Sequence, residues 1–280
     1  MTRLALAALL ATTLGAPAGA QPAASVLRGG DPQLLRLAAR LQPTLEKNRK
    51  RFEGRTGPVE GFGAGEAYPQ VWLRDSATLV PLSRWLYPRA TLRSWLEEHL
   101  AAQNPDGSLN DWIAAGPPEA FREWAPRVRA LPAPPGLTLS ADTNTTEADQ
   151  ESSAVLAAHE VFAATGDLAW LFGPVAGQPL LARLDRALRS VLERRFEARR
   201  GLVENALTAD WGDVSPAWPD QRAIYLDERT PRAVGLYTNA LFVRAARALA
   251  QLHSLAGDGV SAAFWWQRAD ELAAHLQGLL

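Results

Sequence analysis

Three observations predict an all-α fold. Apolar residues recur at three- and four-residue spacing along about seven segments, and no run keeps apolar–polar alternation over several residues. The connecting stretches alternate between short turns and long, polar, tryptophan-rich loops. Helical hairpins joined in this way, with the long loops on one side, make an α-toroid with a cleft at one end.

The elements follow in order. Met1 to Ala20 has a signal-peptide pattern: Arg3, the apolar run Leu4 to Leu14, and the small residues Ala18-Gly19-Ala20. The run is too short to span a membrane, so a secreted or periplasmic chain with no membrane partner is expected from near Gln21. Asp31-Pro32 is an N-cap with Pro at the first helical position. Leu34, Ala38, Leu41 and Leu45 continue that helix, and Pro43 is expected to kink or split it. Arg55 to Gln70 is rich in Gly and Pro, an irregular excursion that can hold a short hairpin.

Val71-Trp72-Leu73-Arg74-Asp75-Ser76 opens a helix to about Leu86, and Ala90 to Gln103 forms the next. Asn104-Pro105-Asp106-Gly107 is a turn leading to Asn110-Asp111-Trp112. Residues 116–144 read as one long loop, and Thr145 to Gln150 opens a helix with an apolar stripe of Val155, Ala158 and Phe162. Thr165-Gly166-Asp167 closes it and caps a short turn, Leu168 to Phe172. Further helices are predicted over Pro179–Phe196, over Val234–Leu255 and from Val260 onward, with acid-bearing loops between the first two.

Composition narrows the chemistry. With 280 residues, 47% of them hydrophobic, the chain can bury one large core or two modest ones. A net charge of −1 offers nothing to nucleic acid. The absence of cysteine excludes disulfides, thiolate metal sites and a Cys nucleophile. The four histidines His99, His159, His253 and His275 have no metal-ligand spacing, so neither a metal nor another cofactor is expected. Ten tryptophans favour carbohydrate, because an indole stacks on the apolar face of a pyranose.

Four polar clusters fall at loop–helix junctions: Trp72/Arg74/Asp75, Asn110/Asp111/Trp112, Glu147/Asp149/Gln150 and Asp210/Trp211/Asp213. Each has a plain structural alternative. Arg74–Asp75 reads as a helix-start charge pair, Glu147 and Asp149 as acids in a first turn, Trp112 as core. Their recurrence after every long loop favours a shared site. Glycosidic hydrolysis needs two carboxyls flanking the bond, and a carboxyl beside a large ring is desolvated toward the range of a general acid.

These residues resemble those of a known group. Val71 to Ser76 resembles the first-hairpin motif of six-hairpin glycosidases, the (α/α)6-barrel clan of glucoamylases, trehalases and family 63 glucosidases. Thr146 to Ser153, followed by Ala163 to Asp167, is similar to the clan's next hairpin. Trp211-Gly212-Asp213-Val214-Ser215-Pro216 resembles the loop carrying its general acid. The resemblance implies an inverting glycoside hydrolase for an α-glucoside, α-mannoside or trehalose-like carbohydrate. Asp213 would be the general acid and Asp210 the second choice. Trp72, Arg74, Asp75, Asp111, Trp112, Glu147, Asp149, Gln150 and Trp211 would line the pocket. Val234 to Ala240 resembles the helix after the acid loop, which puts Tyr237 and Asn239 near it.

The clan's catalytic base lies near the end of about twelve helices, whereas this sequence stops at Leu280 within a helical pattern. The expectation is therefore an incomplete (α/α)6 barrel over residues 21–280, with the base missing or the fold completed by dimerisation. A non-catalytic carbohydrate-binding or scaffold remnant is the alternative, and a helical interaction module with acids as caps is a third.

Overall fold

The computed structural model describes residues 30–123, 127–207, 226 and 230–279. The signal-like stretch 1–20 lies outside them. So do Asp210, Trp211 and Asp213.

The expectation of an all-α (α/α)6 toroid is overturned. Among the described residues, eight α-helices alternate with twelve short strands, which form one four-stranded and four two-stranded antiparallel sheets. The architecture is mixed α/β. The longest strands have six residues and seven of the twelve have two, too few for period-two alternation to register in the sequence.

Helix α1 (Pro32–Asn48) starts as expected, with the Asp31 carboxylate accepting from Gln33 N at 2.7 Å. Pro43 neither ends nor splits it; the helix forgoes one internal hydrogen bond there. Only Leu45 of its apolar stripe is buried. The expected irregular excursion is a regular hairpin, β1 (Arg49–Gly54) and β2 (Gly57–Phe62), begun six residues earlier than its Gly-Pro content suggested. Its turn is held by Glu98, fully buried, which accepts from Thr56 N, Thr56 Oγ1 and Arg55 Nε at 3.0–3.1 Å. Gly61 lets the hairpin lie close: a Cβ there would meet Val71 and come within 2.8 Å of Trp95 Cβ.

Strand β3 (Val71–Trp72) precedes α2 (Leu73–Ser83), and α3 (Arg89–Ala101) turns Leu92, Trp95, Leu96 and Leu100 into the core. Each such side chain contributes about 1.5–3 kcal/mol of burial. Strand β4 (Trp112–Ala115) follows the Asn104–Gly107 turn, and the stretch read as a long loop contains β5 (Arg129–Leu131) and β6 (Leu139–Asp142); they join β3 in the order β3-β4-β6-β5. One face of this sheet packs Ile113, Leu131, Leu139 and Ala141 together. The other carries Trp72, Trp112 and Asp142 in one cross-strand row.

Helix α4 (Gln150–Thr165) is the centre of the molecule and packs against α2, α3 and two later helices, α6 (Leu180–Arg195) and α7 (Leu236–Leu255). Ala154, Ala157 and Ala158 let those neighbours approach, so burial surrounds the helix instead of following the one stripe expected. Gly166 ends it in the left-handed conformation (φ 62°). The stretch read as a turn is the short helix α5 (Leu168–Phe172), joined to α6 by a small hairpin, β7 (Pro174–Val175) and β8 (Gln178–Pro179). Two more small hairpins follow α6. The first pairs β9 (Phe196–Glu197) with β10 (Leu202–Val203); the second pairs β11 (Asn205–Ala206) with β12 (Arg232–Ala233). Helix α8 (Gly259–Gln277) completes an antiparallel pair with α7. No described helix is long and apolar enough to cross a membrane.

Asp185 binds α6, α7 and α8 together. It accepts from His253 Nε2 at 3.2 Å, Trp265 Nε1 at 2.7 Å and Arg189 Nε at 2.6 Å. Burial alone would raise its pKa, but these donors hold the carboxyl down at about 2. A depressed folded-state pKa stabilises above the unfolded value and is lost as pH falls through the folded one. We expect Asp185→Asn to cost about 2 kcal/mol at pH 7. In urea unfolding, its deficit against the native chain should narrow from about pH 4 down to about 2.

Candidate functional site

Three of the four sequence clusters meet at the N-terminal ends of α2 and α4. Trp72 ends β3 and Arg74 is the second residue of α2. The first amide of α2, Leu73 N, donates to Asp111 O at 2.8 Å, and Asp111 N donates to Asp142 O at 2.8 Å. Backbone pairing therefore stitches three separate loops together before any side chain is considered. Ser76 ties in a fourth segment, accepting from Phe62 N at 2.9 Å and donating to Phe62 O at 3.1 Å.

Arg74 lies at the middle of the cluster with its side chain only 5% exposed. Its Nη2 donates to Glu147 Oε1 at 2.8 Å and its Nη1 to Asp149 Oδ2 at 3.5 Å. Gln150 Nε2 donates to Glu147 Oε2 at 2.8 Å, so both Glu147 oxygens are engaged. Arg195 Nη2 donates to the Glu147 carbonyl at 3.3 Å. Every residue from Thr146 to Val155 is buried, an unusual run for a segment holding three acids. The reading of Glu147 and Asp149 as acids in a first turn does not match the geometry, because both precede Gln150, where α4 begins. Asp149 occupies the N-cap of α4 without a side-chain capping bond, and both carboxylates turn to Arg74.

Asp111 is 4% exposed, and burial raises its carboxyl to about 7. The charges of Asp142 and Asp149 push the same way, whereas Arg74 and the Gln150 amide pull it down. Burial also raises Asp149, against the pull of Arg74. Beside these acids stand the rings of Trp72 and Trp112, 6.4 Å apart and tilted, flanked by Tyr68 on Trp72 and Phe121 on Trp112. Trp112 is buried as core, which agrees with its plain structural reading; Trp72 is half-buried.

Asp75 is half-buried in the first turn of α2. Tyr237 is half-buried at the start of α7. Asn239 is fully buried, and its amide is used by backbone: it accepts from Val203 N at 2.8 Å and donates to Val203 O at 2.8 Å and Gly235 O at 2.9 Å. It locks β10 to α7 and has no amide donor left for a ligand. Asp210, Trp211 and Asp213 lie outside the described residues, but their anchors are in view. Ala206 N donates to Thr146 O at 2.9 Å, Leu207 N to Pro231 O at 2.7 Å, and Leu226 N to Thr145 Oγ1 at 2.8 Å. Ala206 and Leu226 are thus tied to the two residues just before Glu147.

Asp142 belongs to the cluster although the sequence did not single it out, because β6 is too short to betray its alternation. Gln70, two positions before Trp72, is also fully buried. A separate surface hollow of about 320 Å³, lined by Arg55, Thr56, Glu97 and the β7 turn, includes none of these side chains. Among the described residues, no three His, Asp or Glu side chains converge as a metal site would require.

Compared with known proteins, the chain matches no family model and no curated relative. The chemistry of the cluster therefore rests on its own geometry.

A carboxyl whose folded-state pKa is raised favours folding below its unfolded value and loses that advantage as pH rises through the folded one. Asp111→Asn, which mimics the neutral acid, should therefore be close to neutral in stability at pH 4. Its midpoint in urea should rise relative to the native chain between pH 4 and about 7, then level off. A constant difference across that range would show that Asp111 is ionised throughout.

Proposed function

We propose that this cluster is a saccharide-binding pocket and that the chain is a glycoside hydrolase acting on an α-glucoside, α-mannoside or trehalose-like substrate. The observation that carries the reading is the fixed guanidinium–carboxylate array of Arg74, Glu147 and Asp149 beside the Trp72/Trp112 pair. Arg–carboxylate pairs hold acceptors in set directions, which is what sugar hydroxyls require of a pocket. The half-buried Trp72 ring supplies the apolar surface on which a pyranose face stacks. Asp75 adds a further polar group at the same helix start.

In this reading Asp213 is the general acid, with Asp210 the second choice. The proton goes from Asp213 to the glycosidic oxygen as the bond to the anomeric carbon breaks. Water attacks the opposite face and gives its proton to a base, inverting the configuration. Ala206 and Leu226, on either side of Asp210 and Asp213 in the sequence, bond to Thr146 and Thr145, the residues just before Glu147. No described carboxylate is assigned the base. The resemblance of Val71–Ser76 and Trp211–Pro216 to six-hairpin glycosidase motifs supports the reaction class, and the pattern of residues 1–20 supports export.

A second reading has its own observation. Glu147 is pinned through both oxygens by Arg74 and Gln150, a geometry for accepting hydrogen bonds and not for transferring a proton. The described residues alone would then make a binding protein without turnover.

Release of reducing sugar from α-gluco-, α-manno- and trehalose-type substrates separates the two. The hydrolase reading expects turnover of at least one substrate, reduced by about 100-fold or more in Asp213→Asn. Calorimetric sugar binding without turnover would favour the binding protein. Neither binding nor turnover would remove both readings.

A further inference from the structure

The hollow away from the saccharide cluster is bordered by charges that the protein leaves unanswered. Its volume of about 320 Å³ is at the small end of ligand pockets, and it lies between the β1–β2 turn, α3 and the β7–β8 turn. Glu97 and Ala101 stand four residues apart on α3 and so present one face of the helix to it. Pro174, Val175 and Ala176 complete an apolar wall. Arg55 enters from the β1–β2 turn, its Nε fixed on the fully buried Glu98 at 3.1 Å. Its Nη2 donates to Glu98 O at 3.4 Å, and its Nη1 has no hydrogen bond among the described residues.

Two groups at this hollow lack an opposite charge. Arg183 of α6, 8% exposed, donates to Val175 O at 2.7 Å, Leu100 O at 2.8 Å and Ala176 O at 3.1 Å. Its guanidinium therefore lies directly behind the wall, and it forms no ion pair among the described residues. Burial, with the charges of Arg186 and Arg55, lowers its pKa. A cation this buried is almost always paired with an acid. Glu97 is the second group. Its Oε1 accepts from Trp170 Nε1 at 2.7 Å, and it too has no ion pair among the described residues.

The backbone adds an independent sign. Ala176, on the rim, has φ 45°, a left-handed conformation that non-glycine residues keep only where their surroundings enforce it. Arg183 supplies the enforcement through the Val175 and Ala176 carbonyls. Such strain is concentrated at ligand sites.

We propose that this hollow binds a free α-amino acid with a small apolar side chain. The carboxylate accepts from Arg55 Nη1 and faces the positive field of Arg183. The ammonium donates to Glu97, and the side chain lies against Ala101 and Val175. A simple anion is repelled by Glu97 and a simple cation by the two arginines, whereas a zwitterion answers both. One end of a peptide supplies one of the two charges, never both. A sugar fits less well, because no aromatic ring lines the hollow to stack on its apolar face. The site shares no side chain with the saccharide cluster and does not rest on that reading.

Calorimetric titration of the full chain with L-valine, isovalerate and isobutylamine tests the proposal. The last two are valine without its amine and valine without its carboxylate. L-Valine should bind about tenfold more tightly than either, or better. Glu97→Gln keeps an oxygen for Trp170 Nε1 and removes the charge. It should weaken valine by about tenfold and leave isovalerate unchanged or tighter. Ala101→Leu fills the hollow from α3 without altering charge and should abolish valine binding. That variant is read beside its ligand-free thermal midpoint, and Glu97→Gln carries the test if it melts early.

No valine binding by the native chain would overturn the proposal. So would valine binding that either variant, folded as the native chain, retains in full. Isovalerate bound as tightly as valine would mean a simple anion site and overturn it as well.

Discussion

The placement of one guanidinium within the protein governs much of the rest. Arg74 is buried with Glu147 and Asp149, and Asp111 and Asp142 stand close enough to affect one another's ionisation. Removing charges from water costs several kcal/mol per ion, which only close pairing and further hydrogen bonds offset. The ends of α2 and α4 therefore cannot drift relative to each other. If Arg74 lost these two carboxylates, buried charge would be left without its closest counter-charges. The surrounding order reflects that demand: the pairing of β3 with β4, the Asp111–Asp142 backbone bond and the Ser76–Phe62 exchange all fasten the segments that carry the charges.

The short strands acquire a purpose from this constraint. A helical bundle alone would leave its connecting loops free to place acids and indoles loosely. Here β3, β4 and β6 bring the Trp72, Trp112 and Asp142 loops into register, so the side chains around Arg74 sit on paired backbone. The hairpin β11/β12 does the same for the ends of the 207–231 segment, tied to Thr146 by Ala206. Beneath, the small residues of α4 let α2, α6 and α7 pack closely, and the polar first turn of that helix lies at the centre of the fold.

Much of the helical part was legible. Gly166, the Asp31-Pro32 pair and the turn around Gly257 mark helix ends in both sequence and structure. The strands were not, because two to six residues carry no measurable period. Between β5 and β6, moreover, Pro132, Pro134, Pro135 and Gly136 give the whole stretch the composition of a loop. The candidate site was legible at residues that interrupt a helical pattern with acid or indole, such as Arg74, Asp111 and Glu147. It was not at Asp142, whose place beside Trp112 depends on sheet register. The resemblance of Val234–Ala240 to the clan's helix put Asn239 near the pocket, whereas the fold uses its amide on Val203 and Gly235.

The most direct measurement is a double-mutant cycle on urea unfolding at pH 7, with Arg74→Met, Glu147→Gln and the two combined. If the buried pair organises these helix ends, each single change is strongly destabilising and the double change costs much less than their sum. The expected coupling is about 2 kcal/mol or more. Effects that add within about 0.5 kcal/mol would contradict the account.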